Sequence, residues 1–150
     1  MKHIIIDTNV VHLDYMLNKS RIMALCSTCD SLDHVVFMPD VVIDELVKQY
    51  REEIQGYTEQ YNSALHQLTR RNAPVANNPL DPVVLTSKYE DSLRARIAQL
   101  RIKIISYPQT AHKEMVAREL NKKKPFKDSK KGYRDSLIWD SIIEHCLRYQ

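Results

Sequence analysis

The stretch Ile4-Ile5-Ile6-Asp7-Thr8-Asn9, close to the N-terminus, decides the fold. Consecutive β-branched residues favour a short buried strand, and the small polar residues that follow are typical of helix caps and turns. The pattern therefore predicts a strand over residues 3–6 that runs directly into a helix. Asp7 then stands at the carboxyl end of that strand.

Two further strands are predicted in the chain, over residues 34–38 and 102–107, each closed by a proline. Helical patterns separate the strands, which gives the order β-α-β-α-α-β-α-α. Strands that alternate with helices indicate a parallel sheet with helices on both faces, a three-layer α/β/α sandwich. Right-handed crossovers bring the carboxyl ends of such strands to one edge, where open α/β sheets bind ligands.

A helical-hairpin excursion is predicted at about residues 50–101. An apolar stripe at three- and four-residue spacing extends from Ile43 to Leu68, stops at a loop rich in proline and asparagine, and returns between Tyr89 and Leu100. We expect two antiparallel helices that pack on each other. The 150 residues as a whole suffice for a single domain with one core.

Composition and charge narrow the class of protein. The three cysteines are an odd number, which argues against a disulfide framework. The apolar runs are too short for a membrane span or a signal peptide, so we expect a cytoplasmic protein. The net charge of +3 is mild, but one segment before the last helix is strongly basic. Its cations are Lys122, Lys123, Lys124, Lys127, Lys130, Lys131 and Arg134.

Three acidic residues stand at positions that this fold brings to the same edge. Asp7 follows the first strand, Glu45 lies one turn inside the helix after the second strand, and Asp135 begins the last helix. Converging carboxylates repel one another unless a cation lies between them, and Mg²⁺ and Mn²⁺ prefer such oxygen ligands. A bound divalent ion activates water and offsets charge on a phosphoryl transition state. The acids therefore predict a metal site that cuts phosphodiesters.

Each of these acids, taken singly, also fits a structural role. Asp7 is well placed to cap the first helix, Glu45 fits an exposed helix position, and Asp135 suits the first turn of a helix because of the helix dipole. Their combination favours the metal site.

Three motifs together resemble the PIN-domain family. Ile4-Ile5-Ile6-Asp7-Thr8-Asn9 looks like its first motif, Val42-Ile43-Asp44-Glu45-Leu46 like its second, and Tyr133-Arg134-Asp135-Ser136-Leu137-Ile138 like its third. The longer run K-G-x-R-D-x-x-I-W over residues 131–139, with Lys124-Pro125-Phe126 upstream, resembles a bacterial subgroup. The resemblance implies a metal-dependent endoribonuclease, and several members are toxins or defence effectors.

The resemblance also implies a role for each site residue. Asp7, Glu45 and Asp135 would be the catalytic, metal-binding acids, with Mg²⁺ or Mn²⁺ as cofactor. Asn9 would orient Asp7 or a metal-bound water. Ser136 would hydrogen-bond in the same site, and Asp140 would be an outer acid of the metal site.

The substrate that the resemblance implies is RNA rather than DNA. The basic segment would hold its phosphates at the rim, which positions a nucleic acid without reading its sequence. The candidate phosphate-binding residues are Lys124, Lys127, Lys130, Lys131 and Arg134.

The chain departs from the family at its C-terminal end. Members usually continue past the third motif into another strand, whereas this chain stops at Gln150. We therefore expect a C-terminally truncated domain, or one completed by a protein partner, and a missing strand would expose a sheet edge that can pair with another chain. An inhibitory partner and a homo-oligomer are further expectations.

Two other functions compete with the nuclease. One is a catalytically silent module that binds RNA or protein and keeps the acids as relics. The other is a phosphatase with Asp7 as nucleophile, which is disfavoured because Asn9 stands where that class has the second acid of its D-x-D motif.

Overall fold

The computed structural model describes residues 1–126 and 132–149. Three strands and six helices are found in these residues. In chain order they are β1 (His3–Ile5), α1 (Thr8–Val11), α2 (Ser20–Ser31), β2 (Val35–Pro39), α3 (Asp40–Arg70), α4 (Pro82–Gln99), β3 (Lys103–Ile105), α5 (His112–Leu120) and α6 (Tyr133–Arg148).

The sheet is parallel throughout, with β2 between β1 and β3. Ile4 lies opposite Val36, and Met38 lies opposite Ile104. Four of the five residues of β2 are buried, as expected for a central strand that helices cover on both faces. The predicted α/β/α sandwich with a parallel central sheet is confirmed.

The helical hairpin is also confirmed, as the outer part of α3 packed against α4. At its base the ring of Tyr50 stacks on Tyr89 with centroids 3.9 Å apart, and the Tyr89 hydroxyl donates to the Tyr15 carbonyl at 2.9 Å. The predicted apolar stripe is buried mainly over the first turns of α3, with Leu65 buried further out. Further out, Tyr57 and Tyr61 are exposed, because the outer hairpin leaves the sheet behind.

The region between β1 and β2 differs from the prediction. Helical structure was expected over residues 10–25 with a break near residues 18–20. The second helix does begin at Ser20, but the break is longer than expected, because eight residues separate the two helices. Leu13 and Leu17 adopt left-handed backbone angles, with φ of 56° and 52°. The buried Asp14 carboxylate accepts hydrogen bonds from the Asn18 and Lys19 amides at 2.9 and 3.0 Å, which holds the turn between the helices. In the described residues, no helix has the length and apolar character of a membrane span.

Candidate active site

The carboxyl ends of the three strands meet at one edge of the sheet, because the strands are parallel. There β1 leads into Asp7, β2 continues directly into α3, and β3 leads towards Tyr107. The acidic side chains that follow β1 and β2 are thereby brought close together.

Asp7 caps the amino end of α1 with a half-buried side chain. One carboxylate oxygen accepts from the Thr8 amide at 2.7 Å, and the other accepts from the Asn9 side-chain amide at 3.1 Å. Asn9 therefore contacts the acid that the resemblance expects it to orient. The two bonds hold the carboxylate at the sheet edge.

Glu45 has a partner on each of its carboxylate oxygens. The Thr8 hydroxyl donates to Oε2, and the Arg134 guanidinium forms an ion pair with Oε1 at 2.6 Å. The Glu45 side chain is only 12% exposed, whereas that of Arg134 is 57% exposed. Thr8 thus touches both acids, since its amide binds Asp7 and its hydroxyl binds Glu45.

Asp135 lies exposed in the first turn of α6, immediately after Arg134. The helix begins after Gly132, whose φ of 124° suits glycine. A Cβ at Gly132 would also lie 2.9 Å from the Pro125 carbonyl oxygen, a distance too short for a real contact. Glycine at this position therefore lets the start of α6 lie close to Pro125.

Ser136, the next residue, is almost completely buried, with 1% of its surface exposed. Its hydroxyl finds no hydrogen-bond partner within the described ranges. Buried hydroxyls in folded proteins usually have one. Ser136 thus offers an unused polar atom in the helix turn that carries Asp135.

Asp140 lies one turn further along α6 and is 6% exposed. Arg118 Nη1 binds both of its carboxylate oxygens, at 2.8 and 2.9 Å, and the Thr110 hydroxyl donates to one of them at 2.8 Å. The hydrogen bonds to Asp140 and Glu114 raise the pKa of Arg118. The negative charge of Asp140 is thus balanced by a cation from α5.

The acids at this edge suit a divalent ion in the chemistry of their donor atoms. Carboxylate oxygens are hard ligands of the kind that Mg²⁺ and Mn²⁺ take, and the unpaired Ser136 hydroxyl adds another oxygen. Glu45 already attracts a cation, the Arg134 guanidinium. In residues 1–126 and 132–149, however, no three acidic, histidine or cysteine side chains are close enough together to hold a metal ion. Thr8 hydrogen-bonds both Asp7 and Glu45. Asp135 is linked to them only as the chain neighbour of Arg134, which pairs with Glu45.

The predicted phosphate-binding residues are found in two places. Lys124 lines a groove of about 360 Å³ between α5 and α6, together with Lys123 and Arg118. Arg134 lies apart from this groove, where it binds Glu45, and its role in phosphate binding stays a prediction. Lys127, Lys130 and Lys131 lie outside the described residues.

Sequence reasoning missed two residues that bind the predicted acids, Thr8 and Arg118, and a third, Tyr107, that binds the acid next to Glu45. Thr8 could have been found from its place directly after Asp7 in the sequence. Arg118 carries no such signal, because its partner Asp140 is 22 residues away on another helix. Tyr107 donates its hydroxyl to Asp44, beside Glu45, and burial followed by that bond raises its pKa.

A comparison with protein-family models matches residues 4–150 to the PIN domain. The chain therefore belongs to the PIN-domain family, whose members are generally metal-dependent nucleases that typically use Mg²⁺ or Mn²⁺ and act on RNA. Searches of curated proteins and of solved structures gave no match.

Proposed function

We propose that this PIN domain is a divalent-metal-dependent endoribonuclease that hydrolyses RNA phosphodiesters with Asp7, Glu45 and Asp135. The observation that carries the proposal is the meeting of Asp7 and Glu45 on the two sides of Thr8, at the carboxyl edge of a parallel sheet. This is the edge at which open α/β sheets bind ligands. An isolated acidic surface would not need a shared threonine to hold its carboxylates together.

The three acids would hold Mg²⁺ or Mn²⁺. When bound, such an ion supplies an activated water and offsets negative charge on the phosphorus centre. Asn9 keeps the Asp7 carboxylate turned towards the site, Thr8 fixes Glu45, and Ser136 offers its free hydroxyl. Asp140 acts from outside the metal ligands, since Arg118 and Thr110 occupy both of its oxygens.

RNA would approach over the basic side of this edge. Lys124 in the α5–α6 groove, with Lys127, Lys130 and Lys131 from the basic segment, would bind phosphates. These contacts give affinity that falls with salt and carries no sequence information. A cytoplasmic role as toxin or defence effector, controlled by an inhibitory or completing partner or by self-association, belongs to the same proposal.

The alternative, a catalytically silent module that binds RNA or protein, also has an observation in its favour. An internal cation, Arg134, neutralises Glu45, and Asp135 does not join the other two acids in one cluster within the described part of the chain. A silent module and an enzyme differ in whether bound metal leads to a cut.

The test is cleavage of a mixed, end-labelled RNA pool by the full chain with Mn²⁺, Mg²⁺ or EDTA, with Mn²⁺ binding measured on the same protein by calorimetry. The proposed enzyme binds the ion and cuts RNA, and EDTA stops the cut. A folded protein that binds Mn²⁺ and RNA but cuts none of the pool is the silent module.

A further inference from the structure

The contact between Arg134 and Glu45 has a consequence beyond the proposed hydrolysis. The guanidinium lies 2.6 Å from Oε1 of an acid whose side chain is 12% exposed. A carboxylate that is so enclosed needs a positive partner, because an unpaired buried charge is costly. In this structure Arg134 is that partner.

Each carboxylate oxygen of Glu45 already has a partner that a metal ion would meet. Oε2 accepts from the Thr8 hydroxyl and Oε1 binds Arg134. Thr8 belongs to the first turn of α1, and its amide is held by Asp7. Arg134 is the freer of the two partners, since its side chain is long and 57% exposed. An ion that reaches Glu45 at Oε1 therefore meets the positive charge of Arg134, 2.6 Å from that oxygen.

We propose that Arg134 is a displaceable counter-cation that competes with the divalent ion for Glu45. The guanidinium keeps the carboxylate neutralised and oriented while the metal is absent, and it moves aside towards solvent when the metal arrives. Arg134 is thus a positioning residue that sets how tightly the site binds metal. This inference rests on the proposed function, because it takes Glu45 as a metal ligand.

The test measures Mn²⁺ affinity of the full chain by calorimetry for wild type, Arg134→Gln, Glu45→Gln and the double variant. Arg134→Gln removes the competitor, so Mn²⁺ should bind about two- to fivefold tighter, the range expected for a partly exposed ion pair. On the Glu45→Gln background the same change should have no effect. Arg134→Lys keeps a cation and should return the affinity towards that of wild type.

The matched control is Arg148→Gln. Arg148 lies on the same helix, also pairs with a glutamate (Glu144, at 3.6 Å), and stands 14 residues away, about 21 Å along the axis. The Arg148→Gln substitution removes the same charge but leaves the contacts of Glu45 intact, so Mn²⁺ affinity should stay at the wild-type value.

An unchanged or weaker affinity in Arg134→Gln would overturn the competition. If wild type binds Mn²⁺ and cuts RNA while Arg134→Gln binds with the same affinity, only the role of Arg134 is lost and the nuclease stands. If neither protein binds Mn²⁺, the metal site and the competition fail together. Mn²⁺ binding that appears only in Arg134→Gln supports the competition most directly.

Discussion

Thr8 is the residue on which the geometry of the site depends most. Its amide binds Asp7 and its hydroxyl binds Glu45, so one residue fixes both acids. The sequence motifs named the acids but not this link, because a motif records which residues recur and not which atoms meet.

Replacing Thr8 by Val tests the link. Valine keeps the branched shape and the amide that binds Asp7, but it cannot donate to Glu45. We expect the RNA cleavage rate to fall about tenfold, the effect of losing one hydrogen bond to a charged group. Thr69→Val, in the outer part of α3, removes a hydroxyl that bonds the Leu65 carbonyl far from the acids in sequence and should leave the rate unchanged. Equal rates for the two variants would show that Thr8 does not hold Glu45.

Asp140 shows where residue-scale prediction ends. Asp140 was predicted as an outer acid of the metal site, which stays a prediction, whereas its bond to Arg118 through both carboxylate oxygens was not predicted. Such a pair depends on how two helices pack, which no spacing in the sequence records.

The Asp140–Arg118 pair should contribute measurably to stability. Asp140→Asn should lower the free energy of unfolding by about 2 kcal/mol, less than for a fully buried pair because the Arg118 side chain is 29% exposed. Urea unfolding measures this. Glu114→Gln removes the other acid that binds Arg118, but that acid is 57% exposed, so the loss should be well under 1 kcal/mol. Equal losses in both variants would contradict a special role for the buried acid.

At the scale of elements, the strands were predicted well and the helix boundaries less so. Short β-branched runs that end at Asp7 and near Pro39 mark strands by composition alone, and all three strands appear within two residues of their predicted ends. A break between α1 and α2 was predicted near residues 18–20, but its full extent over residues 12–19 was not, because it depends on the Asp14 side chain and on two leucines in left-handed conformation. Hydrophobic spacing carries no information on either.

At the scale of the whole molecule, helix α6 contributes residues both to the acidic site and to the basic groove. The first turn of α6 supplies Asp135, and its middle forms the groove with α5, where Lys123 and Lys124 lie. The proposed metal site would therefore use the first turn of α6, and the proposed phosphate contacts would come from residues just after α5 that line the groove. The expectation of a truncated C-terminus stays a prediction.

The groove predicts how RNA binding responds to salt. Lys123→Gln with Lys124→Gln should reduce the slope of log affinity against log salt by about 1.4, since each phosphate contact to a single strand contributes about 0.7. Filter binding in EDTA, which prevents cleavage, measures the slope. Lys2→Gln with Lys88→Gln makes the same change in charge at exposed positions outside the groove and should alter the slope little. An unchanged slope in the groove variant would place the RNA elsewhere.

Asp7→Asn tests the central claim most directly, in the end-labelled RNA assay with Mn²⁺. Asparagine keeps the shape of the side chain and can still cap α1, but it removes the charge that a metal ligand needs. We predict loss of cleavage with the fold intact by circular dichroism. Asp91→Asn, the same change at an exposed site on α4, should cut at the wild-type rate. Cleavage that survives in Asp7→Asn would contradict the assignment of the active site to this edge of the sheet.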